Sequence, residues 1–112
     1  MTVKYHPAAV KELKGLADGA GPGLQGTMDD IETGIVLPAR RERLSADLWE
    51  AKYPRGGNTY RLIYAVVESP AKGAKTSETQ FLGLLAFQKK TRKTPKQHLK
   101  TAGKRLSDWR TQ

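Results

Sequence analysis

Between Pro7 and Ala17 the apolar positions Val10, Leu13, Leu16 and Ala17 fall on one helical face, and Pro7 suits the first position of such a helix. The stretch Asp18-Gly19-Ala20-Gly21-Pro22-Gly23 interrupts the pattern. Leu24, Met28, Ile31 and Ile35, spaced at four, three and four, then predict a second helix with Gly34 near its C-terminal end. Two amphipathic helices joined by a Gly/Pro turn make a helical hairpin, whose apolar faces need a sheet to cover. Ahead of it, Thr2 to Tyr5 alternates and predicts a short edge strand.

The periodicity changes after Pro38. Leu44 to Tyr53 alternates imperfectly and predicts a strand, and Pro54-Arg55-Gly56-Gly57-Asn58 predicts a turn. Thr59 to Val67 is rich in β-branched and aromatic residues and is apolar on both faces beyond Arg61, the pattern of a central strand. A polar link from Ser69 to Thr79, containing Pro70 and Gly73, leads to a further apolar strand, Phe81 to Phe87. Thr94 as N-cap, Pro95 at the first helical position and Gln97 three residues after the cap open a last helix. Leu99, Ala102, Leu106 and Trp109 are its apolar stripe, with Lys96, Lys100, Lys104 and Arg110 mostly off it. The predicted order is β-α-α-β-β-β-α, an α+β fold with a mainly antiparallel sheet, an N-terminal helical hairpin and a C-terminal helix.

A chain of 112 residues fits one domain spanning residues 1–112, and 38% hydrophobic residues suffice for a core. No run of about 18 apolar residues occurs and the first residues lack a secretory signal, so a cytoplasmic, membrane-free protein is expected. The absence of Cys rules out disulfides, thiolate ligands and a cysteine nucleophile, and His6 and His98 alone do not suggest a metal site. No cofactor is expected either.

The net charge of +9 is unevenly placed: residues 1–50 carry 6 Lys/Arg against 8 Asp/Glu, and residues 51–112 carry 14 against 3. Such a concentration of one sign repels itself unless a polyanion is the partner, which points to nucleic acid. The bland alternative is a solvated, solubility-promoting surface.

Two segments focus that charge. Lys52, Arg55 and Arg61 surround the predicted turn, and Arg61 shares a strand face with Ile63, Ala65 and Val67. A guanidinium there needs an anion: a phosphate, or a carboxylate such as Asp47 or Glu50. The second segment, Gln88 to Lys96, holds five cations in nine residues (Lys89, Lys90, Arg92, Lys93 and Lys96) directly before a helix N-terminus, itself a partial positive charge. Groups of these kinds can cleave RNA without metal: a base takes the 2′-OH proton, cations stabilise the phosphorane, and an acid protonates the leaving 5′-oxygen. Arg61 is the candidate phosphorane stabiliser. Lys89 or Lys90, crowded by like charges, are candidates for base or acid, as is His98, since an imidazole exchanges protons readily near neutral pH. Tyr60, with Tyr53 and Trp49, is within reach by sequence to stack on bases. The bland readings are a surface position for His98, a cap or surface position for His6, and core positions for Trp49 and Trp109.

Leu48-Trp49-Glu50, followed by Thr59 to Ala65 and then by Phe87 to Pro95 with its closing helix, resembles the RelE/ParE superfamily, in particular its phage-derived HigB-like branch. The resemblance covers nearly the whole chain in element order, with two motifs that are specific only in combination. It implies a RelE-like fold, a ribosome-dependent messenger RNA endonuclease, and a helix-turn-helix antitoxin that neutralises it. The Arg after the Tyr of the third-strand motif is Arg61, the basic pair after the last strand is Lys89 and Lys90, and Lys52 matches a basic position lining the RelE cleft. RNA contacts would come from Lys52, Arg55, Tyr60, Arg92, Lys93 and Lys96. Two features depart from the pattern: Glu50 stands where RelE has a basic residue, and no Tyr follows Thr94, leaving His98 as the nearest substitute. The alternatives are a ParE-like poison of DNA gyrase on the same scaffold and an RNA-binding module without chemistry.

Overall fold

The computed structural model describes residues 2–17, 19–34, 40–70, 77–89 and 94–110. The order is β1 (Thr2–Tyr5), α1 (Pro7–Gly15), α2 (Ala20–Thr33), β2 (Arg41–Arg43), β3 (Trp49–Arg55), β4 (Asn58–Pro70), β5 (Ser77–Lys89) and α3 (Lys96–Arg110). The α+β class is as expected. The sheet is mixed, in the order β1-β5-β4-β3-β2: β1 runs parallel to β5 and every other pair is antiparallel. The α1/α2 hairpin covers one face, where Leu24, Met28 and Ile31 meet Ala51, Tyr60, Leu62 and Tyr64. Helix α3 covers the other, where Ala102 and Leu106 meet Ile63, Ala65, Leu85 and Phe87.

Several boundaries move for physical reasons. Helix α2 starts at Ala20 and runs through the expected break. The turn is made at Gly19, whose φ of 68° suits glycine. Pro22 is harmless in the first turn, where an amide has no intrahelical acceptor. Gly21 and Gly23 are packing residues: a Cβ would fall 2.4 Å from the Leu13 carbonyl oxygen and 2.3 Å from the Tyr53 ring respectively. Gly34 ends α2 as expected, its N–H reaching the carbonyls of Asp30 and Ile31. Ile35, expected on this helix, lies outside the described residues.

The strand expected from Leu44 begins only at Trp49, because Leu44 and Ser45 both donate their N–H to the Leu48 carbonyl and turn the chain. That turn brings in the unexpected β2, with Arg41 opposite Ala51 and Arg43 opposite Trp49. Pro54 belongs to β3, beyond the last residue that β2 pairs, so its missing N–H takes no ladder bond from β2. The β3–β4 turn contracts to Gly56 and Gly57, at φ 58° and 80°, as a two-residue hairpin with positive φ requires. Strands β4 and β5 pair as far as Pro70 and Ser77, deep into the polar link; residues 71–76 lie outside the described residues. Leu84 is an extra residue in β5, since Ile63 pairs with Leu85 and Tyr64 with Gly83. Beside it, Arg105 of α3 donates to the Leu84 carbonyl at 2.8 Å and to the Glu12 carboxylate of α1 at 2.8 and 3.1 Å. The same carboxylate accepts the Ala86 N–H at 3.2 Å. This ion pair supplies backbone partners where the bulge disturbs the ladder.

Candidate functional site

Strand alternation places Glu50 and Lys52 of β3, Arg61 of β4, and Phe87 and Lys89 of β5 on the face that α3 covers. Register sets Arg61 opposite both Lys52 and Phe87. Two cations opposed across a ladder repel, and the side chains resolve this by choosing different carboxylates. Lys52 meets Glu42 of β2, with Nζ 3.3 Å from Oε2, at a half-exposed position. Arg61 turns to Glu50 and donates Nη1 to Oε1 at 2.6 Å.

Glu50 is the centre of the cluster. It is 0% exposed, and a buried carboxylate must be paired and hydrogen-bonded to remain charged. Besides Arg61, Lys89 brings its Nζ to 3.9 Å from Oε1, and the Thr94 hydroxyl donates to Oε2 at 2.5 Å. The side chains of Arg61 and Lys89 are themselves only 12% and 7% exposed. Two cations share one anion, so the cluster keeps a net charge of +1. Arg61 Nε, also buried, has no hydrogen-bond partner among the described residues. An excess of donors around a buried charge is an arrangement that one more anionic oxygen would complete.

Thr94 also fixes the start of α3 against the sheet. Its hydroxyl, expected as the helix cap, is spent on Glu50, and the first helical carbonyl is that of Pro95, which accepts the N–H groups of His98 and Leu99. One turn on, the His98 ring lies against Phe87, with centroids 4.4 Å apart. Phe87 is directly across from Arg61, so His98 sits on the same face of the sheet as the cluster.

The residues singled out from sequence divide as follows. Arg61 and Lys89 converge, and His98 and Lys52 flank them. Among the described residues the Lys89 amine pairs with the Glu50 carboxylate. Arg55 is exposed at the β3–β4 hairpin, where Nη1 donates to the Tyr53 hydroxyl at 3.3 Å, and Lys96 is exposed in the first turn of α3. Tyr60 must be corrected: it is 1% exposed in the core under α1 and α2, on the opposite face from Arg61, so its ring is not offered to a base. Tyr53 likewise lies against α2, and Trp49 carries the guanidinium of Arg41 at 4.1 Å and that of Arg43 at 5.5 Å. Lys90, Arg92 and Lys93 lie outside the described residues.

From sequence, Glu50 stood out as one possible partner of Arg61 and as a departure from the RelE pattern, and Thr94 as a cap. The signal for Glu50 was a carboxylate between Trp49 and Ala51, on the same alternation as Lys52 and opposite to it in charge. Among the described residues no group of three or more His, Asp or Glu side chains could hold a metal ion, and no helix is long and apolar enough to cross a membrane.

A family model described as phage derived protein Gp49-like (DUF891) matches residues 11–107, which include every residue of this cluster. No curated protein matches the chain.

Proposed function

The chain belongs to the phage-derived Gp49-like family, in general a family of RelE/ParE-like toxins, and from that premise we propose that it is the HigB-like toxin of a toxin–antitoxin pair that cuts messenger RNA on the ribosome. The observation that carries this reading is the buried Glu50–Arg61–Lys89 cluster, with its net positive charge and its unmet Arg61 donor. In the proposed role it acts as one domain over residues 1–112 in the cytoplasm, without metal or other cofactor, and is held inactive by a helix-turn-helix antitoxin.

The scissile phosphate is held by Arg61 and Lys89, and their charges stabilise the phosphorane as its oxygens gain negative charge. Glu50 is fully buried and has no surface to offer a 2′-OH, so it is a positioning residue that keeps two mutually repelling cations side by side. His98, held by Phe87 on the same face, passes the proton. The 2′-oxygen attacks phosphorus as its proton leaves, and the P–O5′ bond breaks as the 5′-oxygen is protonated, giving a 2′,3′-cyclic phosphate and a 5′-hydroxyl. Lys52, half-exposed on this face, and Arg55, exposed at the β3–β4 hairpin, contact the flanking strand, together with Lys90, Arg92 and Lys93. The cluster favours cleavage over the gyrase-poison and binding-only readings, since a buried cation pair around one carboxylate is costly to build for solubility or for simple electrostatic binding.

The test is a cell-free translation reaction on a defined message, with 5′ ends mapped by primer extension. New ends inside the reading frame are expected, dependent on ribosomes and reduced by roughly two to three powers of ten in Arg61→Ala. Intact message with translation continuing would refute the nuclease reading, and gyrase-dependent DNA breaks in cells would replace it with the ParE-like one.

A further inference from the structure

Arg61, Lys89 and Thr94 occupy the N-terminal end of α3, and a second concentration of charge runs along the outer face of that helix. Lys96, Lys100 and Lys104 recur at every fourth residue, and all three are exposed. None of them forms an ion pair among the described residues. With Gln97 and Thr101 they line an open concavity of about 610 Å³. A step of four residues advances about 6 Å along a helix axis, so the three amines form a regular track. The stripe of Leu99, Ala102, Leu106 and Trp109 is packed against the sheet side, which leaves the lysine face turned to solvent.

The chemistry of this face selects its ligand. A partner helix or protein groove needs apolar or aromatic anchors, and none of the five lining residues supplies one. A single nucleic-acid strand is held by cations together with aromatic platforms for its bases, and no described residue lining this face is aromatic. A double-helical backbone asks only for cations at regular spacing on a rigid rod and is recognised by shape, not by sequence. We propose that Lys96, Lys100 and Lys104 dock on the phosphate backbone of a double-helical RNA segment, separately from the strand held at Arg61 and Lys89. The inference rests on the RNA-directed reading above and adds to it a second, sequence-blind RNA contact, of the kind that the folded RNA of a ribosome can receive.

The probes are an RNA duplex of arbitrary sequence, about 16 base pairs long, and an oligouridine strand of the same length, titrated by fluorescence anisotropy over a series of salt concentrations. In K96Q/K100Q/K104Q the duplex affinity is expected to fall roughly tenfold or more, and the slope of log K against log salt to lose about 2 to 3, at about 0.9 per phosphate contact. Oligouridine affinity stays within twofold. Absence of duplex binding by the wild-type protein, an unchanged duplex slope in the variant, or equal losses on duplex and single strand would each overturn the proposal. Should the triple variant lose its helical circular dichroism, Lys100→Gln alone reads the same slope, with an expected loss of about 0.9. Neither readout involves cleavage. Lysine-dependent duplex binding by a protein that cuts no message would end the nuclease reading and leave this one standing, and cleavage with duplex binding unmoved by the variant would do the reverse.

Discussion

Glu50→Gln removes one charge from the centre of the cluster while keeping the size of the side chain. The amide oxygen can still accept from Arg61 or Thr94, so the change isolates charge from shape. Arg61 and Lys89, with side chains 12% and 7% exposed, are then left as two buried cations without a counter-ion. Breaking a buried ion pair by removing one partner costs about 3–5 kcal/mol, and the retained hydrogen bond places this case near the lower end, about 3 kcal/mol. That is a large share of a stability on the order of 5–15 kcal/mol, and it corresponds to a fall in Tm of roughly 10–20 °C. An added anion can take over the lost charge, and inorganic phosphate at ten times its Kd would restore about 1.4 kcal/mol. The assay is thermal unfolding of wild-type and Glu50→Gln protein in chloride buffer and then with phosphate. The variant is expected to melt lower and to gain more from phosphate than the wild type does. A loss below about 1 kcal/mol, or equal stabilisation of both proteins by phosphate, would refute the view that Glu50 holds the two cations in place.

The glycines of α2 separate packing from helix propensity. Gly21→Ala drives a methyl group against the Leu13 backbone, which cannot withdraw, so it should cost more than Gly23→Ala, where the Tyr53 ring can shift at about 1–3 kcal/mol. Gly26→Ala meets nothing within 4 Å and should stabilise by up to about 1 kcal/mol, and denaturant melts that failed to give this ranking would contradict the placement of α2. At alkaline pH, Tyr5 is pushed up from 10.0 to about 12, by burial first and by the charge of Asp29 second, and burial raises Tyr64 against the opposing effect of Arg41. The folded protein therefore keeps these phenols protonated where the unfolded chain loses the protons: stability is full below about pH 10 and declines as pH rises from 10 towards 12. Chemical denaturation at pH 9, 10 and 11 should show that decline, with a smaller one in Tyr5→Phe; parallel losses in both proteins would exclude Tyr5 as a cause.

The elements that rest on local rules were legible in the chain. The helices around Leu13, Leu24 and Leu106, the central strand from Thr59 and the role of Gly34 follow from spacing and from single-residue chemistry, and the structure places them where those rules put them. Arg61 stood out as a cation on an otherwise apolar strand face, and the pairing that resolves it, Glu50, was among the acids in view. Reading failed where a residue type has two uses. Gly21 and Gly23 look like parts of a break but serve close packing within a helix whose first turn accommodates Pro22, and Thr94 looks like a cap but donates to Glu50. Tyr60 looks like an exposed ring beside a basic turn, yet helices cover both faces of this sheet, so alternation moved it from one interior to another and not into solvent.

By itself the sequence determined the helical hairpin, the apolar strands, the closing helix and the gathering of positive charge in residues 51–112, because each depends on neighbours within a few positions. Only the tertiary structure decided that Glu50 meets Arg61, Lys89 and Thr94, and that Glu12 meets Arg105 beside the bulge in β5. Those contacts join residues 11 to 93 positions apart. A charge taken out of water must find its partner wherever strand register and helix packing bring one, and no local pattern along the chain encodes that distance.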